Sequence, residues 1–217
     1  MSYKTILAID PSGNYEEGKG TTGTCILNCT MNKVVALKNI SAKDYTSKED
    51  YWQAHLDLIK HTYRAFPEVI VVMEDFTLDP RRAMQQSHSK METPKLIGII
   101  QHFCRQNNIP YIMQRAVEVK SRWADHILEY KNFIVKKNRM YYMLDSTVPM
   151  SRHCKDAIRH AVHYMTFYNE EEQYDGIKRN NCSFNLFKIN TEIFKHNYLT
   201  LFPKKIQYIV KYSLKNS

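Results

Sequence analysis

The chain has 217 residues, 43% of them apolar, enough to bury one sizeable α/β core and short for two. Its 31 Lys and Arg against 22 Asp and Glu leave a formal charge of +9, which favours a polyanionic partner, nucleic acid or an acidic membrane surface, without choosing between them. The longest apolar stretch, 69–73, stops at Glu74, far short of the ~20 residues a bilayer span needs. MSYKTILAID lacks a signal-peptide apolar region, and five cysteines with no CxxC pair suit neither a zinc site nor a disulfide framework. The expected compartment is reducing, intracellular and cytoplasmic.

Taken in chain order, residues 5–9 form a short apolar run ending in Asp10-Pro11, and a turn follows before a second run at 24–27. Gly13, Gly18, Gly20 and Gly23, four of the six glycines, are read as parts of that turn, where the backbone must bend or allow a close approach. Residues 34–40 read as a third strand, so the start is an antiparallel meander. Ser47 is an N-cap candidate for a helix whose stripe, Trp52, Leu56, Ile59, Tyr63 and Phe66, should face the core.

The β-branched run 69–73 reads as a strand buried on both faces, leading into Glu74-Asp75-Phe76. Pro94 fits the first turn of a helix carrying Leu96, Ile97, Ile100 and Phe103, stopped at Asn107-Asn108, and 109–113 makes a fifth strand. Strand, helix, strand at this spacing implies a right-handed parallel crossover. A helix is expected over 118–130, a hairpin from 133–135 and 140–144, and a last helix over 152–168. The composition then changes, so the chain divides into a domain at 1–169 and an Asn-, Lys- and Tyr-rich appendage or partly disordered tail at 170–217.

Asp10 follows the first strand and Glu74 the fourth; parallel neighbours would bring both carboxylates to one sheet edge. On the last helix, His153, Asp156, His160 and His163 are spaced three, four and three, along one ridge. His153 is the functional candidate of the three histidines; His160 and His163 read as a solvated or substrate-flanking face. Three acids without a compensating arginine repel, and a hard divalent cation resolves this, magnesium first. Two such ions can drive in-line phosphodiester hydrolysis without a protein nucleophile.

These residues resemble the RuvC-type Holliday-junction resolvases, the phage-encoded branch in particular. ILAIDPSG at 6–13 is similar to the family's first-strand motif, VVMEDF at 71–76 to its second acid, and HCKDAIRHAVHY at 153–164 to its terminal HxxDA helix. The resemblance implies a ribonuclease H-like α/β fold: a mixed five-stranded sheet, three strands antiparallel and then two parallel, flanked by helices. It implies metal ligation by Asp10, Glu74 and Asp156 with two Mg2+ ions, Mn2+ as a substitute, and His153 binding metal or positioning water. Lys120 resembles the family's lysine beside the scissile phosphate. A homodimer resolving four-way or otherwise branched DNA in recombination and repair is implied as well, in a host cytoplasm if the source is viral. The loop after Asp10 is longer than in the bacterial relatives, and Thr77 stands where those carry a junction-wedging aromatic.

Phosphate contacts are expected from Arg81 and Arg82 after the second acid and from Lys136, Lys137 and Arg139 at the hairpin turn, beside Tyr141 and Tyr142. Alternative readings are a nuclease cutting RNA–DNA hybrids, a non-catalytic junction binder, and an actin-like ATPase. The last is disfavoured because only Gly98 and Gly176 follow Gly23, too few for a second phosphate loop, so no nucleotide cofactor is expected.

Overall fold

The structure is a computed structural model that describes residues 3–16, 18–77 and 91–169. The expected appendage, Arg81 and Arg82 lie outside the described residues. Among those described, no helix is long and apolar enough to cross a membrane.

Three strands, β1 (Thr5–Asp10), β2 (Thr21–Asn28) and β3 (Lys33–Ser41), run as an antiparallel meander. Helix α1 (Lys48–Ala65) follows and leads into β4 (Val69–Asp75), which pairs parallel to β1. Helix α2 (Glu92–Gln106) returns the chain to β5 (Tyr111–Arg115), parallel to β4. The sheet order is β3-β2-β1-β4-β5. Two short helices, α3 (Ala116–Arg122) and α4 (Asp125–Tyr130), precede a separate hairpin of β6 (Val135–Lys137) and β7 (Met140–Tyr142), and α5 (Arg152–Phe167) closes the described fold. This is the expected mixed sheet of three antiparallel and two parallel strands.

β1 and the first five residues of β4 are wholly buried, so both faces of the central sheet are covered. On one face Ile6, Ala8, Cys25, Leu27, Ile70 and Val72 pack against Ala157, Ile158, Ala161 and Val162 of α5. Each such aliphatic side chain taken from water contributes about 1.5–3 kcal/mol. By alternation Leu7, Ile9, Val71 and Met73 serve the other face.

Three expectations need correction. The buried side of α1 is Tyr51, His55, Leu58, Ile59 and Thr62, not the Trp52, Leu56, Tyr63 stripe. It is rotated because Tyr51 and His55 bury themselves by hydrogen bonding to the loop after Asp10 and to the start of β2: Tyr51 Oη donates to the Ser12 carbonyl, and His55 Nε2 lies 2.8 Å from Thr22 Oγ1. The helix expected over 118–130 breaks at Trp123 and Ala124. There Trp123 turns inward, its carbonyl accepting from Arg159 Nε at 2.9 Å and its indole N–H donating to His163 Nδ1 at 3.2 Å. Gly23 belongs to β2, not to the turn.

Candidate active site

Asp10 and Glu74 continue the alternation that sends Ile6, Ala8, Ile70 and Val72 towards α5, so both carboxylates leave the sheet on that helix's side. α5 reaches them because Gly23, paired with Asp10 across β1 and β2, has no side chain. A Cβ there would stand 2.1 Å from the His153 carbonyl carbon and 2.3 Å from Cys154 N. The helix start is fixed by Ser151, whose hydroxyl accepts from Cys154 N at 3.0 Å and donates to Asn39 Oδ1 of β3 at 2.7 Å. His153 Nδ1 then stands 2.8 Å from Asp10 Oδ2, and Asp156, one turn later, is 4% exposed.

Lys120, on α3 just after β5, lies between the other two acids, 3.1 Å from Glu74 Oε2 and 3.3 Å from Asp156 Oδ2. The structure thus brings Asp10, Glu74, Lys120, His153 and Asp156 to one end of the sheet. Lys136, Lys137 and Arg139 are exposed on the β6–β7 hairpin. That hairpin joins the site's surroundings through Tyr141, whose ring lies 4.1 Å from the Lys155 ammonium on α5.

Burial pushes the Asp10 carboxyl up, aided by the negative fields of Glu74 and Asp156 and opposed by His153. His153 is raised in turn by its hydrogen bond to Asp10. For Glu74 burial also acts upwards, but the His160 hydrogen bond and the Lys120 charge outweigh it and hold the carboxyl low. Burial depresses Lys120, and Glu74 and Asp156 more than restore it, leaving the ammonium raised.

The sequence-based picture of acids without an arginine is overturned. Arg159, three residues after Asp156 on α5, pairs with both Asp156 and Asp125, and Asp125 also accepts from Lys155 at 2.6 Å. The spacing of Asp156 and Arg159 was the available signal; Asp125 offered none. His160 and His163 are not a solvated face, being 0% and 6% exposed. The sheet and the indole of Trp123 cover that ridge, and His160 reaches Glu74 Oε2 at 3.0 Å.

The loop after Asp10 is clamped from two sides. Trp52 Nε1 donates to the Gly13 carbonyl at 3.3 Å, while Gly13 N donates to Thr93 Oγ1 at 3.0 Å and Tyr15 N to Glu92 Oε2 at 2.8 Å. Among the described residues no three His, Cys, Asp or Glu side chains form a ready-made metal-holding group. Each carboxylate instead faces a cationic or N–H partner. The donor set nonetheless suits a hard divalent cation: three oxygen donors, with an ammonium drawn in between two of them.

Comparison with solved structures identifies the architecture. Thermus thermophilus RuvC in complex with a Holliday junction substrate superposes with a TM-score of 0.55 at 12% identity, over 76% of this chain and 94% of that one. The fold is RuvC-like. A second Thermus thermophilus RuvC structure gives a TM-score of 0.49 at 13% identity, over 74% of this chain and 92% of its own. No protein-family model and no curated protein matches the sequence.

Proposed function

We propose that the chain is a metal-dependent endonuclease that resolves four-way or branched DNA, acting as a homodimer. The observation that carries this reading is the convergence of Asp10, Glu74 and Asp156, from three separate elements, at one end of the sheet, with the Lys120 ammonium between Glu74 and Asp156 and His153 against Asp10. It is supported by a RuvC-like fold whose solved relative was captured on a Holliday junction.

Asp10, Glu74 and Asp156 would hold the divalent ions, Mg2+ or Mn2+. Such ions, when bound, supply an activated water and charge stabilisation at the leaving oxygen of a phosphodiester. His153, hydrogen-bonded to Asp10 at the half-exposed rim, orients that carboxylate and is in place to hold a water beside it. Lys120 offers its ammonium to the negative charge developing on the scissile phosphate, a role that a preorganised cation performs without reorganisation. The hairpin residues Lys136, Lys137 and Arg139 take phosphates of a duplex arm, and Arg81 and Arg82 complete the basic set.

Strand nicking of a synthetic four-way junction in magnesium tests this, with Asp10→Asn and Asp156→Asn as controls and an RNA–DNA hybrid as competing substrate. Paired symmetric nicks on the junction, absent in both variants while junction binding persists, are expected. Tight junction binding with no nicking by any of the proteins would point to an architectural role, and preference for the hybrid would move the substrate to RNA–DNA duplexes.

A further inference from the structure

We propose that His160 is a positioning residue, fixing Glu74 through a buried chain that runs Gln114, His160, Glu74. The inference rests on the metal-dependent reading above. Glu74 and Gln114 are register partners on the neighbouring parallel strands β4 and β5, so their side chains leave the sheet on one face. α5 lies there, and His160, one turn beyond Asp156, fits between them with no exposed surface. Its Nε2 lies 3.0 Å from Glu74 Oε2 and its Nδ1 2.9 Å from Gln114 Oε1.

Proton accounting gives the chain a direction. A carboxylate only accepts, so His160 Nε2 carries a hydrogen and donates to Glu74. Gln114 is 5% exposed, and its amide Nε2 is buried without a hydrogen-bond partner, a costly arrangement. Turning that amide by half a rotation moves its N–H against Nδ1 and leaves the less demanding carbonyl oxygen in the unpartnered position, so the imidazole can accept from Gln114 and pass its own N–H to Glu74. Glu74 is then held at Oε2 from below by His160, while Lys120 approaches from α3. A carboxylate fixed in this way keeps its rotamer when a cation replaces the ammonium, as outer partners of metal ligands do. Asp10 has His153 and Asp156 has Arg159 in corresponding places, so each acid has a dedicated partner.

The test is Mn2+ binding by the full-length protein without DNA, read by electron paramagnetic resonance, alongside thermal unfolding and nicking kinetics. His160→Leu should weaken Mn2+ binding roughly 10- to 100-fold, with junction affinity measured in EDTA unchanged. His160→Gln, which keeps an N–H donor, should recover most of the loss. Gln114→Met, which leaves the helix untouched, should weaken binding in the same direction and add little in the His160→Leu background, since the two act as one chain. Should His160→Leu fail to fold, Gln114→Met alone decides. Unchanged Mn2+ affinity in the folded variants would overturn the positioning role and leave His160 as core packing, with the nuclease reading intact. Absence of Mn2+ binding by the unaltered protein would overturn both.

Discussion

Without its guanidinium, Arg159 would leave the Asp156 and Asp125 carboxylates, and the Trp123 carbonyl, short of a shared donor in a region where the arginine side chain is only 14% exposed. Breaking a buried pair by removing one partner costs roughly 3 kcal/mol or more, because the other charge stays buried. Arg159→Met should therefore lower the urea midpoint markedly, and Asp125→Asn should cost less in that background than alone. His55 contributes a pH dependence of its own. Burial pushes it down to about 4 from an ordinary 6.5, against the pull of the Tyr51 carbonyl. The folded state thus binds this proton less readily than the unfolded one. The His55 contribution to stability is intact above pH 6.5, falls as the pH drops towards 4, and has by then lost about 3 kcal/mol. Unfolding by urea at a series of pH values should show that slope in the unaltered protein and a shallower one in His55→Gln.

Among the elements, the contact of α5 with β2 depends on one missing methyl. Gly23→Ala would press a carbon into the His153 backbone, so the helix must retreat from Asp10. A loss of about 1–3 kcal/mol is expected, together with loss of nicking. Gly98→Ala is the counterpart: a Cβ at this helical position meets nothing within 4 Å. There alanine should stabilise by about 0.5–1 kcal/mol, and a pair of thermal melts separates the two cases. The β6–β7 hairpin has its own logic. Asn138 and Arg139 both have positive φ, 48° and 67°, the left-handed pair of a two-residue hairpin turn. Lys136 and Lys137 lie 5.7 and 5.8 Å from the rings of Tyr141 and Tyr142. The tyrosines are half-buried beneath these charges. Replacing Lys136, Lys137 and Arg139 by alanine should weaken junction binding and flatten the dependence of log affinity on log salt by about 2 to 3 units, measured by fluorescence anisotropy.

For the whole molecule, the sheet order and the three acids were legible because each acid closes an apolar strand or sits on a ridged helix, and such patterns survive folding unchanged. What was illegible arose from tertiary contacts. α1 buries Tyr51 and His55 because Ser12 and Thr22, 30 or more residues away, form hydrogen bonds with that side, and the α3–α4 break carries neither glycine nor proline to announce it. His160 read as solvent-facing because a histidine at helical spacing does not disclose a carboxylate waiting in the sheet. The end of the described fold is tied to its beginning: Asn169 Oδ1 accepts from Tyr3 N at 2.8 Å, and its Nδ2 donates to the Tyr3 carbonyl at 2.9 Å. A chain ended after residue 170 should accordingly keep one cooperative urea transition, whereas Asn169→Ala should cost it about 1 kcal/mol.

The hydrogen bond between Asp10 and His153 joins positions 143 residues apart. During synthesis Asp10 emerges early and Glu74 follows it, but His153 and Asp156 join them only after α5 has been made and docked. A nascent chain, or one ended before α5, therefore carries Asp10 and Glu74 without His153 and Asp156, and the cluster is assembled only once that helix has docked.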